Sequence, residues 1–468
     1  MSDPHLIKTA FIEQVASDIK RAGGKPYLVG GSVRDILING KRFVPKDIDM
    51  EVFGMTRNQL ANILKPYKPS YVGKSFGVFK LQKWNIDISL PRREYKIGDG
   101  HTDFEVEVDP RMSIEEAASR RDFTMNAIYM SLDDGGYIKD PFNGASDINS
   151  RMIRHTSDRF VEDPLRVLRA MQFAARLGFN MAPETIELCK TLSINGISKE
   201  RIFEEFSKLI LQGSEIGKGL KVLRDTEWVK FFPELELLIG NEQSPTWHAE
   251  GDVWNHTLMC MNEFAVESRN NEFDSSVRPD EDENLIVGLA VLCHDLGKPH
   301  ATTLVDGKIH HYGHEVMGEE PTRSFLERIT DRKDLIEDVV TLVVNHHRPA
   351  QLWPTGSSRT IRRLANDVGR IDRLARVTYA DYAGRLPKDN RGMQIVDWLT
   401  GKAASMNLES KRPDPIIMGR HLIQLGLKPS KDFGYILKGC YEAQLNEEFT
   451  TEAGGMVWLK NLLNEWSR

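Results

Sequence analysis

The stretch Tyr27–Phe53, YLVGGSVRDILINGKRFVPKDIDMEVF, decides how the rest of the chain is read. Tyr27-Leu28-Val29 is an apolar strand that breaks at Gly30-Gly31, and Ser32 and Arg34 open a helical segment. A Lys/Arg/Pro loop returns to a second strand carrying Asp47-Ile48-Asp49. Two glycines let backbone N–H groups approach an anion closely, and a helix N-terminus favours negative charge. Ser32 and Arg34 can add donors for the phosphates of a nucleoside triphosphate. On a strand, residues i and i+2 share a face, so Asp47 and Asp49 converge. Two carboxylates on one face suit two Mg²⁺ ions for an in-line displacement. Either motif alone usually marks a turn; their order and spacing together carry the reading.

At 468 residues the chain is long enough for two to four domains. A net charge of −6 argues against a uniformly basic nucleic-acid binder but allows a local basic groove. The four cysteines form no C-x-x-C pair, which fits reduced thiols in a cytoplasmic protein. Cys260 and Cys293 lie near histidines and read as small buried apolar residues. The N-terminal residues lack a signal-peptide pattern, and no apolar run is long enough to span a membrane.

Leu6–Ala22 reads as an amphipathic helix, and Thr56 as the N-cap of a helix to Leu64. Short strands follow at 71–73, 78–81 and 86–90, with Asp87 a candidate third carboxylate. The polar stretch from Pro91 to Pro110 reads as a mobile loop. Next comes Arg120–Ala127, RRDFTMNA. In Glu162–Arg169, EDPLRVLR, Asp163 suits an N-cap and Pro164 a first turn. The spacing of Asp163, Arg166 and Arg169 puts them on one helix face. Arg201–Leu209 is an amphipathic helix with an expected Arg201–Glu205 ion pair.

Nine of the 13 histidines lie between His248 and His347. His256, the adjacent His294-Asp295, His314, His346-His347 and Asp381 form a series of imidazoles and carboxylates on helical segments. Such donors suit a divalent metal. His248, His300, His310 and His311 read as rim residues, and Lys298 as a phosphate contact. The tail from Pro413 to Arg468 is helical; Gly419 and Gly426 are expected breaks.

The Gly-Gly and D-x-D arrangement resembles the nucleotidyltransferase motif of the DNA polymerase beta superfamily. GGSVRD, DIDMEV, RRDFTMNA and EDPLR resemble the class II tRNA nucleotidyltransferase and bacterial poly(A) polymerase family, in its HD-bearing bacterial branch. The histidine series resembles the HD phosphohydrolase superfamily. These resemblances imply an α+β fold: a polymerase-beta-like head (1–155), a helical neck (156–245), an HD domain (246–390) and a helical tail (391–468). They imply addition of CCA to the tRNA 3′ end from CTP and ATP. In that role Asp47 and Asp49 hold Mg²⁺; Gly30, Gly31, Ser32 and Arg34 bind phosphates. Arg121 contacts the nucleotide and Asp122 the sugar hydroxyls. Asp163 and Arg166 pair with the base edge, and Arg169 helps position it. The HD site, from His256, His294, Asp295, His314, His346, His347 and Asp381, takes a divalent transition metal such as Ni²⁺ or Mn²⁺. The tRNA end and the two nucleotides are the expected partners, with no membrane and no obligate protein partner. Poly(A) synthesis, partial addition of A or CC, and an HD phosphohydrolase with an RNA-recognising head are the alternatives.

Overall fold

Alternation of apolar and polar residues in short segments builds one seven-stranded mixed sheet. Its strands are β1 (Lys25–Val29), β2 (Ile48–Phe53), β3 (Ser70–Val72), β4 (Val78–Leu81), β5 (Ile86–Ser89), β8 (Tyr129–Ser131) and β9 (Ile138–Lys139). Their order is β3-β4-β5-β2-β1-β8-β9, and only the β2–β5 pairing is parallel. The computed structural model describes residues 4–40, 43–72, 78–96, 104–132, 136–270 and 280–466. The chain divides into two units, Met1–Phe231 and Phe232–Arg468.

The helices of the first unit are α1 (Pro4–Arg21), α2 (Gly31–Asn39), α3 (Arg57–Leu64), α4 (Ile114–Ser119), α5 (Gly144–Asn149), α6 (Arg166–Leu177), α7 (Pro183–Lys190), α8 (Lys199–Gln212) and α9 (Ile216–Asp225). Thr56 caps α3 by accepting from the Gln59 amide, and Gln59 reaches back to the Thr56 N–H. Gly178 ends α6 with φ 68°, a left-handed position that suits glycine. One face of the sheet packs Tyr27, Val29, Phe53 and Tyr129 against Ile114, Ala117 and Ala118 of α4. Helix α6 packs on α8 and α9. A short parallel pair, β10 (Met152–Ile153) with β11 (Asn180–Met181), joins the segments before and after α6.

Two expectations are corrected here. Asp47 sits just before β2 rather than inside it. The stretch expected as a loop is an antiparallel hairpin, β6 (Arg92–Lys96) with β7 (Phe104–Val108), running from Arg92 opposite Val108 to Lys96 opposite Phe104. The alternation Phe104-Glu105-Val106-Glu107-Val108 is a strand pattern, and it outweighs the polar composition around it. Gly73, residues 97–103 and residues 271–279 lie outside the described residues.

The second unit is helical: α10 (Pro233–Glu236), α11 (Val253–Asn270), α12 (Glu281–Cys293), α13 (Lys298–Ala301), α14 (His314–Met317), α15 (Glu319–Ile329), α16 (Lys333–Asn345), α17 (Arg348–Leu352), α18 (Ser358–Val368), α19 (Ile371–Ala383), α20 (Arg391–Ala404), α21 (Gly419–Gln424), α22 (Asp432–Leu445) and α23 (Glu452–Trp466). A small hairpin, β12 (Thr303–Val305) with β13 (Lys308–His310), follows α13. Helix α19 packs on α11, α12 and α20. Buried Arg376 on α19 forks onto Glu267 of α11, both bonds 2.8 Å. Removing one partner of such a buried pair costs about 3–5 kcal/mol. The tail has its own core around Ile417, Leu422, Ile436, Cys440 and Leu459. As expected, Gly419 begins α21, and Gly426, at φ 86°, follows its end.

Candidate functional sites

The first unit gathers carboxylates at the start of β2. Asp47 and Asp49 are exposed on either side of buried Ile48. In the parallel β2–β5 pairing Asp49 lies opposite Asp87, which also meets Lys80 at 3.0 Å. Although its surface is open to solvent, Asp49 is set among groups that push its carboxyl pKa up. Desolvation leads, Arg121 opposes it, and the Asp87 and Asp47 charges add to the rise. An all-oxygen, negatively crowded donor set of this kind fits hard divalent cations.

The Gly-Gly turn is fastened to these acids. Buried Ser32 accepts from the Asp49 N–H at 2.8 Å and donates to the Asp47 carbonyl at 3.2 Å. Gly30 has φ 65°; a Cβ there would lie 3.2 Å from Arg121 Nη1 and 3.5 Å from Asp49 Oδ2. Glycine therefore lets the turn, the cation and the acid meet, and Gly31 begins α2 beside them. Arg34 points inward instead: it is buried, donates to Asn126 Oδ1 at 2.8 Å, and pairs with Asp35 at 2.7 Å.

Asn126 connects Arg34 to the next group by donating to Asp122 Oδ1 at 3.0 Å. Arg169 on α6 donates from Nε to Asp122 Oδ2 at 2.9 Å. Burial pushes the Asp122 pKa up, but the Arg169 charge together with hydrogen bonds from Asn126, Arg169 and the Phe123 N–H outweighs it and holds the carboxyl below its usual range. Arg121 pairs with Glu51 at 3.2 Å, so its guanidinium stays beside the carboxylate face. Arg166 donates to the carbonyls of Arg159 and Arg120, each at 2.7 Å. Asp163 precedes α6 and caps locally, accepting from the Leu165 N–H at 3.2 Å. Its other oxygen accepts from Arg201 of α8 at 2.7 Å. This corrects the expected Arg201–Glu205 pair, since Glu205 pairs with Lys208 at 2.9 Å. Tertiary packing brings a better-placed acid to Arg201 than its own helix offers.

The second unit gathers histidines whose Nδ1 atoms are anchored. His294 Nδ1 lies 2.8 Å from the Val291 carbonyl, His314 Nδ1 2.8 Å from that of His311, and His346 Nδ1 2.6 Å from that of Val343. A carbonyl only accepts, so each Nδ1 carries a proton. In His314 and His346, which burial keeps neutral, Nε2 then presents a lone pair, whereas for His294 burial is outweighed by the neighbouring carboxylates, Asp295 first, which push the ring up. His314 Nε2 and His346 Nε2 then face each other at 3.3 Å with no proton between them. Burial drives His314 down to about 4 and His346 well below its ordinary value, which keeps both rings neutral. His294 Nε2 is buried without a hydrogen-bond partner. Opposed lone pairs and an orphaned ring nitrogen are what a metal cation satisfies.

His256 Nε2 lies 3.1 Å from Asp381 Oδ1, which Arg385 also holds. Asp295 stands between the two groups, with Oδ2 3.2 Å from His294 Nε2 and Oδ1 3.4 Å from His314 Nε2. His347 completes a second triad with His314 and His346. Lys298, read as a phosphate contact, is buried against Asp295 at 2.7 Å and Gln243 at 2.6 Å.

Residues 26–154 match the poly A polymerase head domain. Residues 178–238 match the probable RNA and SrmB-binding site of polymerase A, and 253–379 match the HD domain. A multifunctional CCA protein of Pasteurella multocida is 36% identical over 396 residues, covering 80% of this chain and 86% of the relative. One from Mannheimia succiniciproducens is 37% identical over 398 residues, covering 80% and 87%. The chain belongs to the multifunctional CCA protein family. The Bacillus stearothermophilus CCA-adding enzyme, solved with CTP, shares the fold at TM-score 0.64 and 21% identity, with each chain covered completely. The Thermotoga maritima CCA-adding enzyme, solved with tRNA, does so at 0.58 and 18%, covering 99% and 96%. The α+β reading of a sheet-bearing head followed by helical segments is the fold of this family.

Sequence reading of this family member missed Glu250. Its Oε1 meets His248 Nδ1 at 2.8 Å and His256 Nδ1 at 2.9 Å, and its Oε2 accepts from the Leu386 N–H at 2.9 Å. Glu250 thereby orients His256 toward Asp381, and His248 stands against His256 rather than at the rim. An acid six residues before a histidine has no fixed geometry, so nothing in the local spacing marks it. Among the described residues no helix is long and apolar enough to cross a membrane.

Proposed function

We propose that this protein is a template-independent tRNA nucleotidyltransferase that adds CCA to the tRNA 3′ end from CTP and ATP in the cytoplasm. The observation that carries the reading is the Gly30 turn fastened by Ser32 to Asp47 and Asp49, with Asp87 in register, in a chain of the multifunctional CCA protein family. We assign four parts: head (1–155), neck (156–245), HD domain (246–390) and tail (391–468).

Asp47 and Asp49 hold divalent cations, assigned as Mg²⁺, which supply charge neutralisation for the triphosphate and activation of the primer hydroxyl. Gly30 and Gly31 offer close backbone approach to the phosphates. Ser32 and Arg34 act there by fixing the turn and the Asn126–Asp122 network. Arg121 sits where a phosphate or sugar passes the acids, and Asp122 with Arg169 forms the ribose and base platform. Asp163 and Arg166 read the base edge: a carboxylate accepts from the exocyclic amine of cytosine or adenine, and a guanidinium donates to ring nitrogen or carbonyl oxygen. Arg201 holds the Asp163 carboxylate in place for this task. Incubation with tRNA lacking its CCA end, with each labelled nucleotide alone and together, tests the function. Sequenced CCA ends are expected; A-only, CC-only or poly(A) products would replace the assignment.

Two further outcomes follow. Asp163→Ala is expected to lose about 1–3 kcal/mol of discrimination for CTP and ATP over UTP and GTP, by analogy with base readout in grooves. Unchanged selectivity with a lowered melting temperature would make Asp163 a helix-capping residue only. Shortening the stretch from Lys96 to Asp109 is expected to spare CC addition and impair the final A. Equal loss of both steps would assign it to general substrate binding.

For the second unit we propose metal-dependent phosphoester hydrolysis, with Ni²⁺ or Mn²⁺ as candidate ions. The confronting His314 and His346 nitrogens favour it. A 2′,3′-cyclic phosphate on a damaged tRNA end is the proposed substrate, since such an end blocks the hydroxyl that the head extends.

A further inference from the structure

We infer that Cys260 is a sulfur ligand of the metal held by His256, His294 and Asp381, making that half of the HD site a mixed nitrogen, oxygen and sulfur centre. The inference rests on the metal-site reading above and goes beyond it by naming a donor and the class of ion it selects. Cys260 is four residues after His256 on α11, so the two side chains share a face. Its Sγ lies 3.4 Å from His256 Nε2, the nitrogen turned toward Asp381. Sγ is also 3.8 Å from the Asp381 carbonyl oxygen.

The four donors are already assembled. A ring nitrogen of His256, the Cys260 Sγ, a ring nitrogen of His294 and an Asp381 oxygen all lie within 4.8 Å of one another, and all four residues are buried. Tetrahedral edges for metal–nitrogen bonds near 2.0–2.1 Å and metal–sulfur bonds near 2.3 Å are roughly 3.3–3.8 Å, so a modest contraction closes the shell. A second observation points to a ligand independently of the thiol: His294 Nε2 is buried in this cluster and makes no hydrogen bond.

Packing fixes the sulfur at this place. A Cβ on Gly384, just after α19, would fall 2.5 Å from Cys260 Sγ and 2.8 Å from the Cys260 backbone nitrogen. The thiol is therefore held between the His256 ring and the α19 end. Asp295 stands between the two triads, with Oδ1 3.4 Å from His314 Nε2 and Oδ2, which also meets Lys298 at 2.7 Å, 3.2 Å from His294 Nε2 and 3.7 Å from His256 Nε2. Cys260 adds a sulfur donor to the His256 side rather than replacing that carboxylate. On coordination the sulfur–metal bond forms and the thiol proton leaves to solvent. Two imidazoles, one thiolate and one carboxylate favour Zn²⁺, Co²⁺, Ni²⁺ or Fe²⁺ over Mg²⁺ and Mn²⁺ at this position, so of the two candidate ions named above the sulfur donor fits Ni²⁺.

The test uses the full chain loaded with Co²⁺ and read by near-ultraviolet absorption, where a thiolate bound to Co²⁺ gives a charge-transfer band. Wild type is expected to show the band. Cys260→Ser and Cys260→Ala are expected to lose it and to bind Co²⁺ and Zn²⁺ at least about tenfold more weakly, with Mn²⁺ binding little changed. Cys293→Ala, which removes the thiol next to His294, should keep the band. X-ray absorption on the wild-type Zn²⁺ form, expected to show a sulfur neighbour near 2.3 Å, decides the matter without any variant. Bound Co²⁺ with no thiolate band, or a band that survives in Cys260→Ala, would overturn the inference and leave the metal site standing. Wild type that binds none of these ions would overturn both.

Discussion

Replacing Asp47 or Asp49 by alanine is expected to abolish nucleotide addition, by at least about 10³-fold in rate, because either change removes a carboxylate that positions the cations. Stability separates this from unfolding. The folded state raises the Asp49 pKa, so its ionisation costs stability as pH rises through the carboxylate range, and the folded form is favoured below it. Asp49→Asn removes that cost, so its melting temperature at neutral pH should not fall below wild type. The Asp47 change leaves the Ser32 contact in place, since Ser32 donates to the Asp47 backbone carbonyl. Hydrolysis by the second unit should be unchanged in both variants. Near-normal addition by both single variants would sink the assignment of these acids; a collapsed melting temperature would show that Asp49 is a structural residue.

The same contacts explain what the sequence made legible. The turn at Gly30 and the alternation around Ile48 are local, fixed by glycine conformation and strand period, and both stand where the residues indicate. The capping of α3 by Thr56 and the end of α6 at Gly178 are local in the same way. The direction of a long side chain is not local. Arg34 follows the glycines as a phosphate donor should, yet the fold turns it onto Asn126, 92 residues away. Arg201 finds Asp163 rather than Glu205, and Lys298 finds Asp295 and Gln243. Arg34, Arg201 and, through Gln243, Lys298 meet partners that only tertiary packing supplies, whereas Asp295 stands three residues before Lys298. The hairpin of β6 and β7 was hidden for another reason: a polar composition reads as a loop, while the two-residue period describes the backbone. The histidine series was legible by density; the carbonyls that anchor His294, His314 and His346 lie three residues before each ring, while which rings face one another is set by tertiary packing.

The double change His294→Ala with Asp295→Ala is expected to strip the second unit of metal, eliminate its phosphoester hydrolysis and leave addition to an intact primer within about twofold. Asp295 reaches His294 at 3.2 Å, His314 at 3.4 Å and His256 at 3.7 Å, so its loss removes a donor from both triads at once. His294 contributes the orphaned Nε2. Together they are the centre of the donor set: their loss takes one imidazole from the His256 side and the carboxylate that faces both triads. The double variant also leaves buried Lys298 with Gln243 as its remaining partner, and breaking a buried pair of this kind costs about 3–5 kcal/mol. Part of any loss in that variant therefore reflects instability. His294→Gln alone keeps the Asp295–Lys298 pair and removes the imidazole, so it isolates the metal effect. Its melting temperature should stay near that of the metal-free wild type while its metal content falls. Elemental analysis of purified wild type and both variants, with phosphatase and cyclic-phosphodiesterase assays over Ni²⁺, Mn²⁺, Co²⁺ and Zn²⁺, reads the outcome. Full metal content and full hydrolysis in His294→Gln would remove His294 from the site, and a wild type that neither holds metal nor hydrolyses any of these substrates would reduce the cluster to a packed helical core.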